Sequence, residues 1–133
     1  MHEVRLLLRW RDMDAYGHVN NAVYLNFLEE ARDAWVESVL GPVADDVWHF
    51  VLARVAIDFR SELKQEDGEI IVRCSLGSIG RSSIRTREEI RKLDGTVSAE
   101  AEAVIVPRDP GTGSSRPLTE EERAVLERQL SSD

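Results

Sequence analysis

Hydrophobic residues occupy every second position at the start of the chain, from Val4 through Leu6 and Leu8 to Trp10. A period of two is typical of a strand with one buried face, so the pattern predicts an opening strand that buries these side chains. Residues 12–20 then supply Asp, Gly and Asn, which favour turns. A loop therefore separates this strand from the next element.

From Asn21 onward the apolar spacing changes to three and four, which is the period of an amphipathic helix. Gly41-Pro42 is a helix stop, so the pattern predicts one helix of about five turns. Such a helix needs a broad apolar surface to cover its buried side. The predicted stripe consists of Tyr24, Phe27, Leu28, Ala31, Trp35 and Val39.

Four further runs alternate between apolar and polar residues and predict strands. Turn-favouring residues at 66–68, 80–82 and 94–95 separate them, so neighbouring strands are expected to pair antiparallel as hairpins and a meander. The runs are residues 51–59, 70–76, 83–92 and 97–105, of which 83–92 is the most highly charged.

The last part of the chain predicts a flexible loop and a short helix. Residues 107–117 are rich in Gly, Ser and Pro, and Thr119 to Glu122 forms a capping box for a helix that ends near Leu130. The order β-α-β-β-β-β-α predicts an α+β fold in which an antiparallel sheet wraps around one long helix. We expect residues 1–133 to form one domain.

Composition excludes several classes of partner. The formal net charge of −8 opposes binding to nucleic acid or to an anionic membrane, and no apolar window approaches the roughly 20 residues of a membrane span. Cys74 is the only cysteine, so neither an intramolecular disulfide nor a cysteine metal site is expected. These features predict a cytoplasmic protein, and its small size favours association with further copies.

Candidate chemistry lies where the first strand, the Asp14 loop and the helix start near Asn21 follow one another. First-turn amides of a helix have no internal partner and can polarise a carbonyl oxygen. A nearby carboxylate can attack the same carbonyl carbon or deprotonate a water molecule. The arrangement is sufficient for acyl transfer from a thioester, whose good leaving group removes the need for a Ser-His-Asp triad.

The run from Arg9 to Arg32, RWRDMDAYGHVNNAVYLNFLEEAR, resembles the 4-hydroxybenzoyl-CoA thioesterase family of hotdog-fold proteins, and within it the bacterial acyl-CoA thioesterases. IDFRSEL from Ile57 and GSIGRSS from Gly77 resemble later segments of the same family. The resemblance implies a hotdog fold and hydrolysis of an acyl-CoA to a carboxylic acid and free CoA. It also implies no metal and no cofactor beyond the CoA of the substrate, and a homodimer or homotetramer with sites at subunit interfaces.

The same resemblance implies roles for single residues. Asp14, in the D-x-x-G turn that ends at Gly17, matches the catalytic carboxylate, which acts as nucleophile or general base. Asn21 matches the position whose backbone N–H polarises the thioester carbonyl, and His18 is a further catalytic candidate as general acid or substrate contact. The predicted substrate-binding residues are Tyr16, Gly17, Asn20, Tyr24, Arg60, Gly80, Arg81, Ser82 and Ser83, with the Gly80 turn directed at the pantetheine arm and nucleotide phosphates.

Structural explanations compete at several of these positions. A turn aspartate such as Asp14 is often a helix cap, and a lone loop histidine such as His18 is often hydrogen-bonded scaffolding. Asp12 matches no catalytic position and is expected to order the loop. Glu29 is a candidate second carboxylate, although an ion pair with Arg32 three residues away explains it better.

Other side chains also allow two explanations. Cys74 is expected to be a small core residue. Aromatic residues that suit an acyl pocket suit a plain core equally well: Tyr24, Phe27, Trp48 and Phe50. An exposed basic strand face explains the arginines at 85, 87 and 91.

Three other functions remain open for this sequence. A hotdog hydratase acts on the same thioesters, but its paired Asp and His are not evident after Gly17. An acyl-acyl-carrier-protein thioesterase shares the HVNN run from His18 to Asn21, although its site asparagine is replaced here by Tyr16. A non-catalytic acyl-CoA binding module would keep the pocket without needing Asp14.

Overall fold

A computed structural model describes residues 1–44 and 46–132 and shows one five-stranded antiparallel sheet packed against a long helix. Short 3-10 turns occur at Trp10–Asp12, Val47–His49 and Gln65–Asp67. The predicted α+β class and element order are confirmed. The elements are β1 (His2–Leu7), α1 (Asn21–Leu40), β2 (Phe50–Phe59), β3 (Glu69–Ile79), β4 (Ile84–Lys92), β5 (Val97–Pro107) and α2 (Glu120–Ser132).

The strand order in the sheet is β1-β3-β4-β5-β2. The predicted meander is confirmed for β3, β4 and β5, which pair in sequence. The expected hairpin between β2 and β3 is wrong, because β2 pairs with β5 and the connection 60–68 carries the chain past β5 and β4. Turn-favouring residues such as Gly68 show that the chain bends, but they do not specify which strand it pairs with.

Helix α1 covers one face of the sheet and contacts β3, β1 and β4. Asn20 caps its first turn, since its side chain accepts a hydrogen bond from the Ala22 N–H, and Gly41 follows its last residue. The predicted apolar stripe is confirmed, with Val39 only partly buried. The most deeply buried core side chains include Leu28, Trp35 and Leu40 from α1 and Ile70, Val72, Cys74, Ile84 and Ile90 from the sheet.

The opening strand ends earlier than its alternating pattern predicts. β1 stops at Leu7, and the turn at Trp10–Asp12 replaces a period of two with a period of three. Leu8 is buried at 3 % exposure, whereas Trp10 is 79 % exposed. The expectation that Trp10 shares the buried face is therefore wrong.

Strand β2 forms one edge of the sheet and its backbone faces no further strand among the described residues. Its register with β5 shifts between Leu52 and Arg54, and the apolar residues Leu52 and Phe59 remain 46 % and 50 % exposed. An edge strand with exposed apolar side chains is a surface on which another strand can pair.

Candidate active site

Backbone hydrogen bonds close the Asp14 loop into a tight turn. The Asp14 N–H donates to the His18 carbonyl at 2.8 Å, and the Gly17 N–H donates to the Asp14 carbonyl at 3.2 Å. Gly17 has φ of +80°, which glycine adopts without the strain that other residues meet. The Val19 N–H donates to the Leu63 carbonyl at 2.8 Å, which fixes the loop against the connection 60–68.

Asp12 is a structural residue, as predicted. Its carboxylate is buried and accepts hydrogen bonds from the Arg9 N–H at 2.8 Å and from the Arg9 guanidinium, with Nη2 at 3.1 Å. The Asp12 carbonyl also accepts the Asn20 N–H at 2.9 Å. Both ends of the loop are therefore held by Asp12, whose oxygens are already occupied.

Asp14 is half-buried and uses its two carboxylate oxygens differently. Oδ1 accepts the backbone N–H groups of Tyr16 at 2.8 Å and His18 at 3.2 Å. Oδ2 accepts no hydrogen bond from the described residues. Asp14 thus orders the loop as a turn aspartate does, and one oxygen remains for chemistry.

The first amide of α1 is also available. The Asn20 side chain accepts the Ala22 N–H at 2.8 Å, and the Asn20 carbonyl accepts the Val23 N–H at 2.9 Å. The backbone N–H of Asn21 has no acceptor among residues 1–44 and 46–132. An unpaired N–H at the positive end of a helix dipole suits a developing oxyanion.

One pocket of about 410 Å³ brings several predicted residues together. Asp14, His18 and Asn21 line it, and so do Tyr16, Tyr24 and Arg60 from the predicted substrate-binding set. Gly17 and Asn20 belong to the same loop but do not line the pocket. The remaining lining comes from Val19, Phe59, Ser61 and Glu62.

Tyr24 forms the buried wall of this pocket. Its hydroxyl lies 3.4 Å from Ser98 Oγ, which itself donates to the Ser61 carbonyl at 2.7 Å. The Tyr24 and Phe59 rings pack edge to face at 5.0 Å. Burial raises the pKa of the Tyr24 phenol above its usual value, so the ring presents a neutral wall.

His18 has a charged neighbour that the sequence did not identify. Its Nε2 lies 3.1 Å from Glu62 Oε2 at the mouth of the pocket. Glu62 lies in the segment IDFRSEL, but no spacing in the sequence relates it to His18, so only the folded chain reveals the pair. The contact agrees with the scaffolding explanation of His18 and leaves its Nδ1 side available.

The predicted Gly80 turn lies elsewhere in the chain. Residues 80–83 connect β3 to β4, with the Gly80 N–H donating to the Ser83 carbonyl at 2.8 Å. Segments around α2 hold this turn, since the Leu118 N–H donates to the Arg81 carbonyl at 3.0 Å and Arg123 Nη2 donates to the Gly80 carbonyl at 3.0 Å. The Arg81 side chain is exposed and has no hydrogen bond or ion pair among the described residues.

Within one chain the Gly80 turn and the Asp14 pocket lie at opposite ends of the sheet. Phe59, beside the pocket, pairs with Ala99, whereas the turn lies near the other end, where Phe50 pairs with Pro107. β3 has 11 residues, so these ends are separated by roughly 36 Å. One chain does not bring the two predicted groups together.

A buried ion pair lies beneath the middle of α1. Arg32 donates to Glu88 through Nε at 2.7 Å and Nη2 at 2.8 Å, and Thr86 Oγ1 donates to Glu88 at 2.7 Å. The predicted pairing of Arg32 with Glu29 is wrong, because the Arg32 guanidinium turns inward to the sheet. Cys74 packs beside this pair as a buried core residue, as predicted.

The basic strand residues are mainly part of the outer sheet face. Arg85 pairs with Glu102 and Arg91 pairs with Glu89. This supports the explanation of an exposed charged face over a ligand site at these arginines.

Two further properties concern ions and membranes. Within the described part of the chain, no group of three or more His, Cys, Asp and Glu side chains is arranged to hold a metal ion. None of the described helices is both long enough and apolar enough to span a bilayer.

The chain is similar to known proteins both in sequence and in structure. The profile of the thioesterase-like superfamily matches residues 8–128. The chain is 30 % identical over 131 residues to the long-chain acyl-CoA thioesterase FadM of Escherichia coli strain K12, covering 96 % of this chain and 98 % of FadM.

Two other similarities extend the comparison. The chain is 30 % identical over 96 residues to the chloroplastic acyl-acyl carrier protein thioesterase ATL3 of Arabidopsis thaliana, covering 69 % of this chain and only half, 50 %, of the plant protein. A crystal structure of a thioesterase from Thermus thermophilus, complexed with coenzyme A and Zn, superposes with a TM-score of 0.86 at 30 % identity. That alignment covers 98 % of this chain and 94 % of the Thermus protein.

Proposed function

The chain belongs to the thioesterase-like superfamily and is a thioester hydrolase, and on this premise we propose that it hydrolyses acyl-CoA at the Asp14 pocket. The observation that supports this site is the free Oδ2 of Asp14 in the same pocket as the unpaired N–H of Asn21. FadM and the CoA-bound Thermus structure support acyl-CoA as the substrate. Within the superfamily we assign the chain to the 4-hydroxybenzoyl-CoA thioesterase family, on the D-x-x-G turn that ends at Gly17.

The proposed reaction uses only these groups and water. The Asn21 N–H donates to the thioester carbonyl oxygen and stabilises the oxyanion of the tetrahedral intermediate. Asp14 either deprotonates a water molecule that attacks the carbonyl carbon, or attacks it directly to form an anhydride that water then hydrolyses. The C–S bond breaks, and the departing CoA thiolate takes up the proton that water loses, so that Asp14 is regenerated as a carboxylate and the carboxylic acid and free CoA thiol leave. No cofactor takes part in either route.

A second copy of the chain would complete the site. If two β2 edges pair about a two-fold axis, they run antiparallel, and full overlap places Phe50 of one copy beside Phe59 of the other. The Gly80 turn of one copy then lies at the same end of the joined sheet as the Asp14 pocket of the other. Three to four strand spacings of about 4.8 Å separate them, roughly 15 to 20 Å instead of roughly 36 Å within one chain.

This arrangement would also solve an electrostatic problem. CoA carries several phosphate charges, and the chain has a net charge of −8, so the ligand needs a local positive group. Arg81 is exposed and has no ion-pair partner among the described residues. We therefore propose a homodimer, acting in the cytoplasm, in which Arg81, Ser82 and Ser83 of one copy bind the nucleotide end of the CoA that reacts in the other.

Thiol release measured with a colorimetric reagent tests the proposal over short, long and aromatic acyl-CoAs. We expect wild type to hydrolyse at least one of them and Asp14→Asn to lose about a hundredfold or more in kcat, because the neutral amide is neither nucleophile nor base. Glu127→Gln on the exposed face of α2 is the control and should keep its activity.

Three results would contradict parts of this proposal. Full activity of Asp14→Asn would remove Asp14 from the chemistry. Binding of acyl-CoA without thiol release would favour a binding module. Faster hydrolysis of the matching acyl-acyl carrier proteins would replace CoA with the carrier protein as the thiol carrier, as in the plant relative.

A further inference from the structure

We infer that a groove beside Trp48 receives the far end of the acyl group, and that Asp33 and Glu37 on its rim exclude acyl groups ending in a carboxylate. The inference rests on the proposed function and concerns the substrates of the same site. It assigns a specificity role to two residues that neither the loop motif nor the Gly80 turn contains.

The groove has a volume of about 310 Å³ and lies between α1, the turn at Val47–His49 and the start of β2. Trp48 lines it and is 75 % exposed, so a large apolar surface faces water there. Wide apolar surfaces in a cleft favour an apolar ligand. The apolar residues that line it with Trp48 include Val36, Phe50, Leu52 and Ile105.

Carboxylates dominate the helix side of this groove. Glu29, Asp33 and Glu37 follow one another at intervals of four along α1, so they lie on one face of the helix, and all three line the groove. No hydrogen bond or ion pair from the described residues reaches the carboxylates of Asp33 and Glu37. Arg32 also lines the groove, but its guanidinium is bound by Glu88.

Within the described residues, no ion pair therefore neutralises the carboxylates of Asp33 and Glu37. The pKa of the Asp33 carboxyl lies above its usual range. The larger cause is the partial loss of water around this carboxylate, and the second is the nearby negative charge of Glu29. A further negative charge placed in the groove would meet the same repulsion. A neutral chain would meet no such charge repulsion and could pack against Trp48 and the other apolar residues of the groove.

Strand pairing explains how the groove would reach the substrate. The groove opens at the Phe50 end of β2, and the Asp14 pocket includes Phe59 at the other end. In the two-fold pairing proposed above, Phe50 of one copy lies beside Phe59 of the other. Both cavities are lined by α1 residues and so lie on the helix side of the sheet. The groove of one copy therefore continues the pocket of the other, away from the thioester carbonyl.

The test compares two acyl-CoAs of equal chain length, octanoyl-CoA and its analogue with a terminal carboxylate, suberyl-CoA. We expect wild type to favour octanoyl-CoA by at least about tenfold in kcat/KM, since like charges brought together carry a large penalty. In Asp33→Asn/Glu37→Gln the preference should fall to about threefold or less, chiefly through faster hydrolysis of suberyl-CoA.

The matched control removes two carboxylates outside the groove. Glu121→Gln/Glu127→Gln on α2 changes the net charge by the same amount and should keep the wild-type preference, which separates the local field from the overall charge. If the double groove variant does not fold, Asp33→Asn alone should still lower the preference by about threefold.

The possible failures are distinguishable. Equal hydrolysis of both thioesters by wild type, or an unchanged preference in the folded groove variants, overturns the inference while thiol release still supports the proposed function. If no acyl-CoA of any kind is hydrolysed, the proposed function fails and the inference fails with it.

Discussion

Two carboxylates near α1 differ in how many of their oxygens are bound. Glu88, beneath the middle of the helix, is buried and has both oxygens bonded by Arg32, with a further bond from Thr86. Asp14, before the helix start, has only Oδ1 bonded to backbone amides. The difference indicates that the charge of Glu88 serves the fold, while part of the charge of Asp14 is left to act on a ligand.

The largest loss of stability should come from breaking the buried Arg32–Glu88 pair. Arg32→Met leaves Glu88 charged and without its partner in the core, so we expect a loss of about 3 to 5 kcal/mol in unfolding free energy. Urea unfolding followed by circular dichroism measures it.

The double variant Arg32→Met/Glu88→Leu is the control for this prediction. Replacing both charges with apolar groups should recover most of the loss, because no buried charge remains unpaired. A double variant as unstable as the single one would show that the cost arises from packing and not from charge.

A third carboxylate, Glu122 of α2, makes the stability of the fold depend on pH. Its substitution should cost less unfolding free energy than that of Arg32. Burial alone would raise its pKa, but hydrogen bonds from Arg116 and from the Thr119 N–H outweigh burial and bring the pKa below its usual value. A lowered pKa stabilises the fold above the unfolded-state value of about 4.3, and this stability is lost as pH falls through the folded pKa.

The corresponding variant is Glu122→Gln. We expect it to lose about 1.5 to 3 kcal/mol at pH 7 and to lose less further stability than wild type below about pH 4. Urea midpoints taken from pH 7 down to pH 3 measure both effects. Parallel pH profiles of the two proteins would contradict the assignment to Glu122.

The smallest effect on stability should come from Asp14. An asparagine keeps the oxygen that accepts the Tyr16 and His18 amides, so Asp14→Asn should change the unfolding free energy by less than about 0.5 kcal/mol. Asp12→Asn, which weakens the buried bonds to Arg9, should cost about 1 to 2 kcal/mol. Thermal unfolding of both variants tests which one loses more stability. A loss in Asp14→Asn as large as that in Asp12→Asn would mean that the main role of Asp14 is structural.

The fold was predictable where the deciding interactions are local. Asn20 before an apolar stripe and Gly41 after it specify the ends of α1, and alternation specifies β3 and β5. The errors concern interactions between distant residues. Arg32 pairs with Glu88, which is 56 residues away, because burial brings helix and sheet together. Likewise β2 pairs with β5 across the sheet, which no turn between β2 and β3 reveals.

The candidate site divides in the same way. Asp14, His18 and Asn21 lie within one short segment, so a motif and helix-end chemistry suffice to propose them. Glu62 reaches this segment because the Val19 N–H binds the Leu63 carbonyl, a contact that no spacing in the sequence predicts. The carboxylates at 33 and 37 belong to no motif in the sequence, and only the folded chain brings them beside Trp48 in one groove.

The free edge of β2 has a genetic consequence. In the two-fold arrangement, each reaction takes its carboxylate from one polypeptide and its Arg81 turn from the other. A chain with a defective Asp14 and a chain with a defective Arg81 would then complement each other when they assemble together, since their mixed dimer contains one site with both parts intact. Random assembly of equal amounts would restore roughly a quarter of all sites. Two variants that are each inactive alone would therefore regain thioester hydrolysis when they assemble together.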